Sequence, residues 1–111
     1  MKMPTRYTPA DMAKTPLPAG RLSVQAFQTN DIELRHYAPR DAGPQLPHDR
    51  DELYFVISGR GTFVRDGERV PFEPGDALFA AAGEAHRFED FSEDFAVWVV
   101  FYGEVKGVGQ G

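Results

Sequence analysis

The pattern of apolar and polar positions changes character near residue 21. Before that point Pro4, Pro9, Pro16 and Pro18 interrupt every stretch, which leaves space for one short helix. Thr8-Pro9-Ala10-Asp11 is its expected start. Thr8 can cap a free amide, Pro9 suits the first helical position, and Asp11 lies near the positive end of the helix. Pro16 then stops it. From Leu22 onward, short runs rich in Val, Ile, Phe and Tyr alternate with Gly, Pro, Asn and Asp clusters, which is β punctuation. The runs predict strands over Leu22–Gln28, Asp31–Tyr37, Glu52–Ser58, Gly61–Arg65, Glu68–Phe72, Ala77–Ala80, His86–Asp90 and Phe95–Tyr102. Asp66-Gly67 marks a tight hairpin, because both central residues of a type I′ turn need positive φ. Glu73-Pro74-Gly75-Asp76 marks a second turn.

So many short strands, with edges to protect, predict an all-β sandwich or closed barrel. Residues 1–20 form an irregular N-terminal arm, residues 21–104 the barrel, and residues 105–111 a C-terminal tail. Leu53-Tyr54-Phe55-Val56-Ile57 and the run from Phe95 to Tyr102 are apolar on both faces, where a half-exposed strand would alternate. Their second face therefore needs a cover, either the arm or a second subunit, and a homodimer is expected.

A length of 111 residues accommodates one domain. With 41% hydrophobic and 26% charged residues, the chain can bury enough surface to fold. The net charge of −5 has the wrong sign for neutralising phosphates, so neither nucleic acid nor an anionic membrane is an expected partner. The lack of cysteine removes disulfides, thiolate metal sites and cysteine nucleophiles. No stretch approaches the roughly 20 apolar residues of a membrane span, and no apolar run follows the N-terminal charge; a cytoplasmic location is expected.

Any histidine-dependent chemistry must come from His36, His48 and His86. His48 and Glu52 would lie about 13 Å apart in a straight strand. Asp49-Arg50-Asp51 is turn-compatible, however, and a turn there lets the two converge. These residues resemble the first motif of the cupin family, a His-x-His pair followed by Glu and then Gly. Here His48 precedes Glu52, and Gly59 follows after six residues. The stretch from Gly75 through Gly83 and His86 to Asp90 is similar to the second cupin motif in its spacing. Together the two motifs cover roughly Gln45 to Asp90. Ala81 and Asp90 stand where the family has proline and asparagine, and Leu46 stands where the first histidine would be.

The resemblance implies a double-stranded β-helix, a small jelly-roll-like barrel, with the motif residues meeting in an internal pocket. It also implies a divalent metal held by His48, Glu52 and His86, with Gln45, a weaker amide-oxygen donor, as a fourth ligand. Two imidazoles and one carboxylate suit iron, manganese, nickel or zinc, and the sequence does not choose among them. The alternative is that His48 and His86 are polar residues bonded to Glu52 with no ion.

Tyr54 and His36 are the expected catalytic groups beside these ligands. Alternation places Tyr54 on the face of Glu52 and groups His36 with Ile32 and Leu34, pointing inward. The competing view of His36 is a core histidine with a hydrogen-bond partner. Arg50, Tyr54 and Phe88 are the expected substrate contacts: Arg50 as an anion clamp or a partner of Glu52, Phe88 as a pocket wall. The acidic run from Glu89 to Asp94 lacks the ligand periodicity of a calcium loop and reads as a solvated turn. Gly59-Arg60-Gly61 reads as a hairpin turn, without the third glycine and following helix of a nucleotide site.

Two functions follow. One is a barrel that binds a divalent metal and holds or transforms a small organic molecule, by chemistry of the dioxygenase, isomerase or decarboxylase kinds found among cupins. The other is a noncatalytic, metal-poor module that binds or senses a small ligand.

Overall fold

A computed structural model describes residues 3–40 and 48–103. The arm forms helix α1 over Pro9–Lys14, where the Thr8 side chain accepts from the Asp11 amide and Thr15, just ahead of Pro16, closes the C-terminal end. Strands follow at β1 Val24–Gln28, β2 Ile32–Tyr37, β3 Asp51–Ser58, β4 Gly61–Arg65, β5 Glu68–Phe72, β6 Ala77–Ala80, β7 His86–Glu89 and β8 Ala96–Tyr102. The sequence pattern therefore located each of these strands, with ends displaced by a residue or two. Asp66 and Gly67 adopt φ of 48° and 83°, the paired positive values of the predicted hairpin between β4 and β5.

All pairings are antiparallel. One sheet runs β1-β2-β8-β3-β6 and the other β5-β4-β7, and the two face each other across an aromatic core. Tyr54, Val56, Val97 and Phe101 project into it from the larger sheet, Phe63, Phe72 and Phe88 from the smaller one, and Phe95 from the turn before β8. This is an all-β, antiparallel, two-sheet barrel. Gly59, which ends the first motif, has φ of 86°, and a Cβ there would lie 2.5 Å from the Phe95 Cα, so only glycine lets the turn approach the core.

Register decides what faces the interior. Glu33, Arg35 and Tyr37 lie beside Phe101, Val99 and Val97, which in turn lie beside Glu52, Tyr54 and Val56. All of these point into the barrel. Ile32, Leu34 and His36 pair with Tyr102, Val100 and Trp98 on the opposite, outer face. The expectation that His36 points inward with Ile32 and Leu34 is thus corrected. Alternation identifies which residues share a face, but here the apolar set lies outside and the inner face of β2 carries charge.

The outer face of the larger sheet is broadly apolar. Leu34, Val100, Leu53 and Phe79 form one cross-strand row, and Trp98 with Phe55 belongs to the next. α1 covers one end, where Pro9, Ala10 and Ala13 line a shallow recess with His36, Ile57 and Ala96. Tyr7 anchors the arm on Phe27, with ring centroids 5.1 Å apart. Beyond the helix the surface is open among the described residues, and Ile32, Phe55, Phe79 and Tyr102 are exposed.

Candidate metal centre

Glu52 is the second residue of β3 and His86 the first of β7, so the two sheets each bring one polar side chain to the same end of the barrel. The turn between β6 and β7 is fixed against the approach to β3. Gly83 N–H donates to the His48 carbonyl at 2.9 Å, Ala82 N–H to Asp51 Oδ1 at 2.8 Å, and Ala81 N–H to Glu84 Oε1 at 2.6 Å. That lacing joins the two motifs and sets His86 against Glu52. His48 enters from the mouth, more exposed than either.

His86 Nε2 lies 2.9 Å and His48 Nε2 3.7 Å from Glu52 Oε2. The ligand atoms of the three residues all fall within 4.8 Å of one another. The 2.9 Å between His86 Nε2 and Glu52 Oε2 matches a shared ion with bonds of about 2.1 Å, and a turn of the exposed His48 ring would close the remainder. The proton arrangement also fits. His86 Nδ1 is 2.8 Å from the Glu84 carbonyl, which can only accept, so Nδ1 carries hydrogen and neutral His86 directs its Nε2 lone pair at Glu52. A lone pair facing a carboxylate calls for a cation between them, either a proton or a metal. Glu52 is only 1% exposed, and a carboxylate so placed needs a positive partner. The residues therefore suit a divalent ion.

The electrostatics shows that Glu52 calls for a cation at His86 Nε2, a demand that a proton meets as well as a metal. Burial disfavours charge on His86, but the hydrogen bond and charge of Glu52, with the Glu84 carbonyl, outweigh it and raise the imidazole above its ordinary range. Burial holds His48 lower despite the pull of Glu52, which keeps it neutral and able to ligate. Burial, then the charge and hydrogen bond of Glu52, push the Tyr54 phenol well up, so it stays a donor.

Tyr54 stands beside the group as its alternation predicts. Its hydroxyl donates to Glu52 Oε1 at 2.7 Å and is 3.1 Å from His86 Nε2. Phe88 packs edge-on against Tyr54 at 4.9 Å between centroids and lines the adjoining cavity. Gln45 lies outside the described residues. His36 is buried on the far side of the sheet with its ring edge against Trp98, away from the cavity.

Arg50 pairs with neither Glu52 nor open solvent. Its guanidinium donates to Glu33 Oε1 at 2.6 Å and lies 4.9 Å over the Phe101 ring. Glu33 also accepts from Arg35 at 2.6 Å, and Arg35 is tied to the Ser23 hydroxyl and carbonyl. Sequence reasoning missed this buried cluster and also Tyr37, which lines the cavity. The available signal was the charge within Glu33-Leu34-Arg35 in an otherwise apolar strand.

An antiparallel two-sheet barrel with two imidazoles and a carboxylate converging inside it defines a class of small β-barrels with a side-chain group that could hold a metal ion. The chain belongs to the cupin family: the cupin domain model matches residues 33–102. An uncharacterised protein of Streptomyces coelicolor is 44% identical over 81 residues, covering 70% of this chain and 76% of its own. A structure of unknown function from Rhizobium leguminosarum aligns with a TM-score of 0.73 at 24% identity, covering 94% of this chain and 100% of that one. A cupin 2 conserved barrel domain protein from Salinispora arenicola aligns with a TM-score of 0.68 at 22% identity, covering 90% of each chain. No helix among the described residues is long and apolar enough to cross a membrane.

Proposed function

We propose that this chain is a metal-dependent cupin whose barrel binds a small organic molecule beside an ion held by His48, Glu52 and His86. The observation that supports it most is the set of three ligand atoms within 4.8 Å of one another, with the His86 tautomer fixed by the Glu84 carbonyl. When bound, such an ion supplies Lewis acidity, and iron or manganese also supplies redox chemistry. The chain supplies the rest. Tyr54 holds one oxygen of Glu52, Phe88, Val99 and Phe101 keep the cavity wall dry, and His48 guards the exposed mouth.

The test is elemental analysis of the purified, reconstituted protein beside His86→Ala and the surface control Glu68→Ala. The expected result is about one iron, manganese, nickel or zinc per chain in the wild type and in Glu68→Ala, and none in His86→Ala. Metal-free protein throughout would leave a metal-poor ligand-binding barrel in its place.

A homodimer is part of the same proposal. The cross-strand rows of Leu34, Val100, Leu53 and Phe79 and of Trp98 and Phe55 make an apolar patch on the outer sheet face, at which Ile32, Phe55, Phe79 and Tyr102 are exposed. A second copy of the same face is the cover that suits it.

A further inference from the structure

Of the three residues that could hold the ion, His48 is the one no strand holds. Glu52 lies within β3, paired with Phe101 on one side and Ala80 on the other, and His86 opens β7 beside Arg65. His48 comes before β3 begins at Asp51, and its side chain is 45% exposed. The His48 carbonyl and the Asp51 carboxylate tie this approach to the turn between β6 and β7. Neither tie aims the imidazole.

Arg50 ties the same approach to the opposite side. Glu33, Phe101 and Glu52 lie in one row across β2, β8 and β3, so Arg50 reaches over β8 to donate to Glu33 Oε1 at 2.6 Å. Its guanidinium lies 4.9 Å over the Phe101 ring, and the His48 ring is 5.4 Å from that same ring. The surface on which His48 packs is therefore the one Arg50 holds. Glu33 is a firm anchor, because its other oxygen accepts from Arg35, itself bonded to the Ser23 hydroxyl and carbonyl.

Stability alone is a poor reason for this pair. Two guanidiniums share one buried carboxylate, and the Arg50 Nε–H is buried without a hydrogen-bond partner among the described residues. A buried ion pair adds little net stability over apolar residues of similar size, and an unpaired donor lowers it further. The better-attested use of such a pair is to fix one geometry.

We propose that Arg50 is a positioning residue: anchored on Glu33 and laid over Phe101, it sets residues 48–50 so that the His48 imidazole faces Glu52 and His86. The proposal rests on the metal reading of the site. Charge and position predict opposite signs here. Removing a positive charge from beside the ion should by itself strengthen cation binding. Removing the residue that aims a ligand should weaken it.

Zinc affinity is measured by chelator competition for the wild type, Arg50→Met and Arg50→Gln, with the far-ultraviolet spectrum checking the fold of each. Both substitutions remove the charge, shorten the reach to Glu33 and leave Glu33 paired with Arg35. Zinc should bind roughly tenfold or more weakly in both, the size typical of groups that orient a ligand. In a His48→Ala background, Arg50→Met should cause no further loss, because the side chain it aims is gone. Zinc bound as tightly as by the wild type, or more tightly, overturns the proposal and leaves the metal reading standing. An equal further loss in the His48→Ala background overturns it too, as does loss of the fold in both variants, which would assign Arg50 to the barrel itself. Zinc absent from reconstituted wild type overturns the metal reading and the proposal with it.

Discussion

The Tyr54 hydroxyl donates to Oε1 of Glu52 at 2.7 Å, which leaves Oε2 as the carboxylate oxygen that faces both His86 Nε2 and His48 Nε2. Tyr54 thereby orients a ligand it does not replace. Outer partners of this kind are typically worth 10- to 100-fold in metal affinity. Tyr54→Phe should weaken zinc binding by about that factor in a chelator competition titration. It also strands a buried carboxylate oxygen, so the metal-free variant should lose about 1–3 kcal/mol of stability. Unchanged zinc affinity would remove Tyr54 from the site.

Gly59 carries both constraints that make a glycine irreplaceable, a φ of 86° and a virtual Cβ 2.5 Å from the Phe95 Cα. Phe95 is itself 2% exposed and packs on Phe72, Phe88 and Phe91. Gly59→Ala should therefore force the turn off the core and cost about 3 kcal/mol or more, read as a lowered urea midpoint. Gly67→Ala is the comparison: its φ of 83° imposes the same backbone strain, but nothing lies within 4 Å of its virtual Cβ. If both variants lose the same stability, contact with Phe95 is not what fixes Gly59.

The strands were legible because Val, Ile, Phe and Tyr runs and Asp66-Gly67 are local signals, and the structure reproduces them. The pairing of His48, Glu52 and His86 was legible through the spacing of two motifs, even with Leu46 in place of a histidine. What failed was direction. Period-2 alternation sorts β2 into Ile32-Leu34-His36 and Glu33-Arg35-Tyr37, but the side turned inward depends on its register with β8. An apolar outer face, open beyond α1 among the described residues, inverts the usual rule that the apolar set is the core set. Arg50 likewise sits in a turn where solvation is the ordinary fate, and only tertiary pairing with Glu33 draws it in.

That pairing gives a pH dependence with a definite sign. Burial would raise the Glu33 carboxyl, but hydrogen bonds from Arg50 and Arg35 and their charges outweigh it and hold it below the usual carboxylate range. A depressed folded value means the unfolded chain takes up the proton first. The stabilisation is thus complete above the unfolded carboxylate range and is lost as pH falls through the folded value. Glu33→Gln leaves Arg35 and Arg50 buried without a counter-charge and should cost about 3–5 kcal/mol at pH 7. It should also flatten the acid limb of the stability curve, measured by urea denaturation across pH. An acid limb as steep as that of the wild type would show that other carboxylates govern acid unfolding.

The apolar outer sheet face makes the last prediction, because a dimer through it should be separable from folding. Phe55 is 42% exposed and lies between Trp98 and Ala77 in its cross-strand row, so its side chain contributes little to the monomer core. A charge placed there would be desolvated in an interface and solvated in a monomer. Light scattering coupled to gel filtration should give twice the chain mass for the wild type and the chain mass for Phe55→Glu, with the far-ultraviolet spectrum and the bound metal retained. Stable sheet-to-sheet dimers bury about 800 Å² per partner, enough for the contrast to persist at micromolar concentration. A wild type that elutes as a monomer at that concentration would leave α1, over the end that carries His36, as the cover this face has among the described residues.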